Sequence, residues 1–417
     1  MKIKKFTAAL LTMGISFSFL FTSSVSASEE TSSANTSSTS VISTNAIPGW
    51  PQGPEITSTA AVVMEDSTNT ILYAKNMDQP LHPGSAVKIM TALLALETCN
   101  LQDEVTMTAT GLAGATDGGA HISAQMDEVF TVEQCLYGIM AASANDLSLQ
   151  IAEYAGGSVE NFVKMMNTRA AELGCTSTTF TNPTGMTDEN QISTAHDMAL
   201  IMKAAIDNEE FRKIASTLSW TIPATNLSGE RTLTSKFSML DPAGTAYYEG
   251  ILGGREGYTA ASLSTLACAA ERDDCILIAV VLEGGAEQTI PEAKTLLDYG
   301  FQNFQFISPG KDDFSVLSGG NVLLPSTVSE DMLQTTETEV NGETIRQYLY
   351  EDILLGTAIV IPETETDTSL MENHEKQLEK ARQFTENKSI VPYIVILVIF
   401  LLLFAAAIWQ SRKIIKS

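Results

Sequence analysis

Basic residues are scarce in this chain. Lysine and arginine together number 24 among 417 residues, against 50 aspartates and glutamates, which gives a formal net charge of −26. Because nucleic acid is bound through a basic face that neutralises phosphates, this balance predicts no nucleic-acid partner. Apolar residues make up 44% of the chain, which excludes disorder throughout and leaves room for a packed core.

The residues that usually ligate metals are few as well. None of the four histidines has metal-ligand spacing to another, and the five cysteines include no C-x-x-C pair. We therefore expect no metal and no other cofactor. The odd number of cysteines excludes complete pairing within one chain. Cys268 and Cys275 flank a polar turn and could meet across a hairpin, but buried free thiols are the simpler interpretation.

Long apolar runs occur near both ends of the chain. A basic start, an apolar stretch over residues 6–21 and the small residues Val25-Ser26-Ala27 predict a signal peptide over 1–27, with an uncleaved anchor as the alternative. Residues 390–409 carry no charge and are long enough to cross about 30 Å of hydrocarbon. The basic tail, 410–417, then predicts a cytoplasmic end. We expect a single-pass cell-membrane protein whose folded body is extracytoplasmic.

The intervening chain divides by composition. Residues 28–54 are rich in Ser and Thr and predict a flexible linker, and residues 303–361 predict a small β-rich module. Residues 362–389 predict an acidic linker and a stalk helix.

The largest segment, residues 55–302, begins with a predicted hairpin and continues with a helix-rich stretch over 85–207. Strands are predicted at 233–239, 250–259, 263–270 and 275–282, and a final helix at 290–299. Strands, an all-helical insertion and further strands predict an α+β domain: an antiparallel sheet with a helical subdomain.

Three short motifs in this segment suggest chemistry. Ser85 and Lys88 are three residues apart at a predicted helix N-terminus, so a lysine of lowered pKa could take the proton of the serine hydroxyl. Ser143-Ala144-Asn145 lies between two apolar runs, where its polar groups need partners. Arg255 follows several glycines in a predicted strand, where a cation could hold an anionic ligand. Taken singly, a helix cap, a turn and a surface arginine explain the three motifs equally well.

In this order, however, the motifs resemble the S-x-x-K, S-x-N and K-T-G set of penicillin-recognising serine enzymes. The chain is similar to the low-molecular-mass penicillin-binding proteins, which are serine D-alanyl-D-alanine carboxypeptidases, over about residues 60–301. Residues 73–77, 182–186 and 193–197 also look like stretches of that family. The resemblance implies a penicillin-binding/β-lactamase-like transpeptidase fold, peptidoglycan stem peptides as substrates and β-lactams as inhibitors.

The resemblance also implies roles for individual residues. Ser85 is the expected acylated nucleophile and Lys88 its general base. Ser143 is expected to relay protons, and Asn145 to hold the substrate backbone. The substrate-binding strand is expected to be Arg255, Glu256, Gly257, Tyr258 and Thr259. Within it, Arg255 is expected to face the substrate carboxylate, and the backbone N–H groups of Ser85 and Tyr258 are expected to form the oxyanion hole.

The third motif departs from the family, because Arg255-Glu256-Gly257 stands where K-T-G is usual. An ionised Glu256 would repel a substrate carboxylate. Three accounts follow: Glu256 turns toward Arg255 or is protonated and activity is kept, the substrate lacks a free terminal carboxylate, or the chain is a pseudoenzyme that binds or regulates at the cell wall. A β-lactamase is not expected, since no E-x-x-L-N deacylation motif follows Asn145.

Overall fold

The computed structural model describes residues 41–309 and 315–361. The expected signal peptide, the stalk, the apolar run at 390–409 and the basic tail lie outside these ranges and stay predictions. Among the helices that are described, none combines the length and the apolar character needed to cross a membrane.

Eight α-helices and fourteen strands form the described part of the chain. The helices are α1 Val87–Thr98, α2 Ala109–Ala113, α3 Val132–Tyr137, α4 Asn145–Gly156, α5 Val159–Glu172, α6 Ala195–Ile206, α7 Glu209–Ala215 and α8 Thr289–Asn303. The strands are β1 Ala60–Glu65, β2 Ile71–Lys75, β3 Glu104–Thr106, β4 Val129–Thr131, β5 Ser219–Ile222, β6 Arg231–Thr234, β7 Ile251–Thr259, β8 Leu263–Arg272, β9 Cys275–Gly284, β10 Phe304–Ile307, β11 Val316–Pro325, β12 Gln334–Val340, β13 Glu343–Tyr350 and β14 Ile353–Val360.

The central sheet is antiparallel, with strand order β2-β1-β9-β8-β7. Alternate residues of β1 enter two different cores, because side chains of a strand point to opposite faces. Val62 and Met64 pack in the core that contains α1 and α6, whereas Ala61 and Val63 pack in the core that contains α8. Burial on both faces explains why β1 and β9 are almost continuously apolar. The predicted α+β fold with an antiparallel sheet is confirmed.

The strand predicted over residues 233–239 is wrong in extent. Strand β6 ends at Thr234, and a 3₁₀ turn follows at Ser238–Leu240. The chain leaves the strand because its next backbone groups find other partners: Ser235 N donates to Leu218 O at 2.7 Å, and Lys236 N donates to Ala141 O at 2.9 Å. The bond to Ala141 places Lys236 against the helical subdomain.

The linker predicted over residues 28–54 is wrong from residue 41 onward. Trp50 is 3% exposed, and its indole Nε1 donates to Leu72 O at 2.8 Å. Ile42 is equally buried, and a 3₁₀ turn occupies Ser43–Ala46. A high content of serine and threonine indicated a solvated chain, but the apolar residues between them are enough to anchor this segment on β2.

A second antiparallel sheet, with strand order β10-β11-β14-β13-β12, follows α8. Its inner residues share one core with α8 and the outer face of the central sheet. Thr70 Oγ1 donates to Leu354 O at 2.6 Å, and Tyr350 OH donates to Pro48 O at 2.9 Å. The module therefore packs against the larger domain through both apolar and polar contacts.

Candidate active site

The nine residues singled out in the three motifs line a single cleft of about 420 Å³. They are Ser85, Lys88, Ser143, Asn145, Arg255, Glu256, Gly257, Tyr258 and Thr259. The cleft lies where the start of α1, the turn before α4 and the edge strand β7 meet. Folding thus brings together three segments that are far apart in the sequence.

Ser85 lies in a 3₁₀ turn, Gly84–Ala86, that leads directly into α1. The predicted position at a helix N-terminus is therefore correct, and the positive end of the helix dipole is next to the hydroxyl. Gly84 adopts a φ of +55°, a left-handed conformation that glycine accepts without strain. An ideal Cβ on Gly84 would also lie 2.8 Å from Ser262 Oγ. Glycine is therefore required immediately before the serine.

Lys88 is 1% exposed, and its Nζ donates a hydrogen bond to the backbone carbonyl of Thr184. In the described part of the chain, no carboxylate forms an ion pair with it. Burial lowers the pKa of Lys88 well below its ordinary value, and the nearby positive charge of Arg255 lowers it further. A lysine in this environment can be present as the neutral amine, which is the form that accepts a proton.

The second motif follows an unusual helical segment. A π-helical turn, Gly138–Ala142, ends at Ser143, whose φ of 61° and ψ of 34° are left-handed. Such π turns and strained residues occur often at functional sites. Two residues on, Asn145 Nδ2 donates to Asp117 Oδ2 at 2.9 Å, and Asn145 N donates to Ala120 O at 2.7 Å. These bonds fix the amide of Asn145 at the rim of the cleft.

Arg255 is almost completely buried beneath the cleft. It is 1% exposed, and one of its terminal nitrogens, Nη1, donates to Met140 O at 2.7 Å. Its Nε has no hydrogen-bond partner among the described residues. Burial lowers the pKa of the guanidinium to about 10, although the nearby Glu256 opposes this change. The guanidinium of Arg255 is thus hydrogen-bonded to the π turn that precedes Ser143. Arg255 also forms part of the lining of the cleft.

Glu256 is half-buried and turns toward Ser238. The backbone N–H and the hydroxyl of Ser238 each approach the carboxylate at 3.4 Å. Within residues 41–309 and 315–361, no ion pair joins Glu256 to Arg255. Burial raises the pKa of the Glu256 carboxyl, while Ser238 and Arg255 lower it. The part of the first account in which Glu256 turns toward Arg255 is therefore wrong, and the part in which Glu256 is protonated stays a prediction.

Sequence reasoning did not single out several residues of the cleft. Lys236, Thr184 and Thr289 line it, and Asp117 holds Asn145. Burial lowers the pKa of Lys236, and Arg255 adds to the effect. The stretch at 182–186 was noted as a family resemblance, but nothing in the sequence signalled Lys236. It reaches the cleft only because β6 ends early.

A serine at a helix N-terminus, a buried lysine one turn later, and polar residues from two distant segments define the penicillin-recognising class of serine acyl enzymes. The comparisons with known proteins agree with this class. The sequence profile described as D-alanyl-D-alanine carboxypeptidase matches residues 48–286, more than half of the chain. The chain belongs to the D-alanyl-D-alanine carboxypeptidase family.

Two relatives each match about 60% of this chain. The chain is 34% identical over 253 residues to the D-alanyl-D-alanine carboxypeptidase DacF of Bacillus subtilis, a match that covers 59% of this chain and 62% of DacF. It is 31% identical over 260 residues to DacB2 of Mycobacterium tuberculosis, which covers 60% of this chain and 84% of that protein. The chain thus spans less than two thirds of the length of DacF.

Solved structures agree on the fold. Penicillin-binding protein 6B of Escherichia coli has a TM-score of 0.61 and 25% identity, with coverage of 76% of this chain and 98% of that structure. A point mutant of the Streptomyces K15 DD-transpeptidase has a TM-score of 0.56 and 28% identity, with coverage of 60% and 99%. The fold class expected from the sequence, a penicillin-binding transpeptidase-like domain, is confirmed.

Proposed function

We propose that this chain is a serine-type D-Ala-D-Ala carboxypeptidase that trims peptidoglycan stem peptides through an acyl-enzyme on Ser85 and is inhibited by β-lactams. One observation carries the proposal: Lys88 is buried, has a lowered pKa and lies one helical turn from Ser85 in the same cleft. A buried lysine without a carboxylate partner is costly to a fold, and such groups are concentrated at catalytic sites.

The chemistry follows from these positions. The Ser85 hydroxyl attacks the carbonyl carbon of the penultimate D-alanine, and its proton passes to the neutral amine of Lys88. The N–H groups of Ser85 and Tyr258 stabilise the oxyanion. Ser143 then passes a proton from Lys88 to the leaving amine, and the terminal D-alanine departs. Water attacks the ester next, losing its proton to Lys88, so that the shortened peptide leaves and Ser85 regains its hydrogen.

A labelling experiment tests this function. We expect a fluorescent penicillin to label the purified protein, and a Ser85→Ala variant of equal stability to remain unlabelled. In parallel, the wild type should release D-alanine from a peptide that ends in D-Ala-D-Ala, and the variant should not. A folded wild type that neither takes the label nor releases D-alanine would contradict the proposal.

Glu256 favours one alternative, a catalytically impaired pseudoenzyme that binds the cell wall. Its carboxylate lines the cleft and lies next to Gly257, where it can repel the carboxylate of a substrate. This alternative predicts that purified peptidoglycan retains the protein equally well with serine or alanine at position 85, and that neither form is labelled. Labelling of the wild type at Ser85 would contradict it.

We also propose that residues 1–27 direct export and that residues 390–409 anchor the protein in the cell membrane. The apolar, uncharged character of these segments supports this placement. N-terminal sequencing of the mature protein should begin near residue 28. Deletion of residues 390–417 should move the labelled protein from the membrane fraction to the medium, whereas retention in the membrane would show that another segment is the anchor.

A further inference from the structure

Two opposite charges line the cleft without pairing with each other. Lys236 and Glu256 both contribute to the wall, and no ion pair involves either residue in the described part of the chain. From the described residues Glu256 receives two long hydrogen bonds, both from Ser238, which lies two residues after Lys236. A half-buried carboxylate and an exposed ammonium that leave each other unpaired are suited to a ligand that brings both complementary charges.

The position of Glu256 along β7 shows which part of the cleft its carboxylate faces. Successive side chains of a strand point to opposite faces, so Glu256 turns away from the face on which Gly257 meets Ser85. It turns instead toward Ser238, and Thr289 and Ile290, at the start of α8, complete the lining of the cleft. The carboxylate of Glu256 therefore faces a region of the cleft beside Ser85, and it does not face the reacting atoms themselves.

The cleft continues from this region into a second groove. Ala286 and Ile290 line the cleft and also line a neighbouring cavity of about 580 Å³ that extends along the outer side of α8. Two acids, Glu287 and Asp298, border this cavity, along with Lys294. The Lys294 ammonium is already engaged, because it donates to Thr245 O at 3.3 Å and to Tyr247 O at 2.9 Å.

We propose that Glu256 is a specificity-determining residue for the leaving amino acid. The site selects stem peptides whose last D-residue has a long side chain ending in an amine. Lys236 holds the terminal carboxylate of that residue, Glu256 accepts the hydrogen bond of its ammonium, and the part of the cleft lined by Thr289 and Ile290 accommodates the side chain. This inference rests on the proposed carboxypeptidase function, and it names the substrate class of the same site.

Three peptides test the inference, each ending in D-Ala-D-Xaa and otherwise identical, with D-lysine, D-norleucine or D-alanine as the last residue. Norleucine matches the aliphatic chain of lysine and lacks the ammonium. We expect the wild type to release D-lysine with a kcat/KM about tenfold higher than D-norleucine, the size of one charge-assisted hydrogen bond in a half-buried site.

Variants separate Glu256 from the general negative charge of the protein. In Glu256→Gln we expect the ratio of D-lysine to D-norleucine to fall below about threefold, and in Glu256→Thr to about one. Glu271 is exposed on β8 and lines neither cavity, so Glu271→Gln should keep the wild-type ratio.

The outcomes distinguish the two proposals. Release of D-alanine with equal rates for D-lysine and D-norleucine in the wild type would overturn the inference and leave the proposed function standing. Loss of the ratio in Glu271→Gln would also overturn it, because the selectivity would then come from net charge. No release from any of the three peptides, with no penicillin labelling, would overturn the proposed function itself.

Discussion

The backbone of Gly257 lies against the side chain of Ser85. An ideal Cβ on Gly257 would be 2.5 Å from Ser85 Cβ and 2.9 Å from Ser85 Oγ, both shorter than real contacts allow. The third motif thus meets the first through its glycine. In the proposed mechanism the next residue, Tyr258, supplies an N–H group of the oxyanion hole beside Ser85.

Gly257→Ala should therefore displace Ser85 and slow acylation by about 100-fold, because an error of about 1 Å in the placement of a reacting group has an effect of this size. The measurement is the second-order rate of labelling by penicillin. Gly229→Ala is the matched control, since no atom lies within 4 Å of its Cβ position. Equal labelling rates in the two variants would show that the close approach does not exist in solution.

The lowered pKa of Lys88 predicts the pH dependence of acylation. Burial is the largest cause of the lowered pKa of Lys88. The positive charges of Arg255 and Lys236 lower this pKa further, whereas the negative charge of Asp117 raises it. In the proposed mechanism the neutral amine is the base, so the acylation rate should rise as pH increases through the lowered pKa, in a range well below the ordinary lysine pKa of about 10.4. A rate that still rises near pH 10 would contradict a depressed pKa.

Lys88→Arg should reduce acylation by about 10²–10⁴-fold, because a guanidinium stays protonated and cannot act as the base. Lys164→Arg on α5 is the control and should leave the rate unchanged.

A buried ion pair joins the residue that precedes β4, Glu128, to the first residue of β6, Arg231. Glu128 is fully buried, and Arg231 donates two hydrogen bonds to its carboxylate, at 2.7 and 2.9 Å. Burial alone would raise the pKa of Glu128, but the bonds from Arg231 and Thr225 outweigh it and keep this pKa below the ordinary value.

Arg231→Met should lower the free energy of unfolding at pH 7 by about 3 kcal/mol, because it leaves a buried carboxylate unpaired. Since the folded-state pKa is depressed, the stabilisation is present above the unfolded-state pKa and is lost as pH falls through the folded-state value. The difference from wild type should thus shrink in acid.

Denaturant unfolding at several pH values measures this effect. Arg169→Met breaks a half-exposed pair with Glu97, whose closest approach is 2.8 Å, and should change stability by at most about 1 kcal/mol. Equal losses of unfolding free energy in Arg231→Met and Arg169→Met would show that the burial of Glu128 does not increase the effect of breaking its ion pair.

The segment before the domain offers a separate stability prediction. Trp50 packs on Phe304, with ring centroids 5.2 Å apart, and donates to Leu72 O. Trp50→Ala should lower the free energy of unfolding by about 3 kcal/mol, as expected for a large buried aromatic side chain. Val41→Ala, at a position 69% exposed, should have almost no effect. A loss of unfolding free energy below about 0.5 kcal/mol in Trp50→Ala would indicate that the segment containing Trp50 is not packed on the domain in solution.

Much of the architecture could be predicted from local patterns. Continuous apolar runs predicted β1 and β9 of the central sheet, because both faces of these strands are covered. Pro83 and Gly84 before a helical run placed Ser85 at the start of α1, where it is found. These features depend on short-range geometry, which a sequence expresses directly.

The remainder depends on contacts between distant segments. Lys236 enters the cleft because its backbone N–H bonds to Ala141 and not to a neighbouring strand. Trp50 is buried because β2 offers a carbonyl for its indole, a fact that its serine-rich surroundings conceal. The direction of Glu256 is set by Ser238. No local pattern encodes these three relationships.

The pairing of β1 with β9 has a consequence for how the molecule assembles. Ala60 lies opposite Leu282, so the middle of the central sheet joins the first and the last strands of the larger domain. Pairing over such a sequence distance is slow, because a long loop must close before the contacts form. Ser85 near the start of this loop meets Gly257 near its end only once the closing strands are in place. Reaction of Ser85 with penicillin should therefore report complete folding, and a chain cut before β9 should carry an intact serine that cannot react.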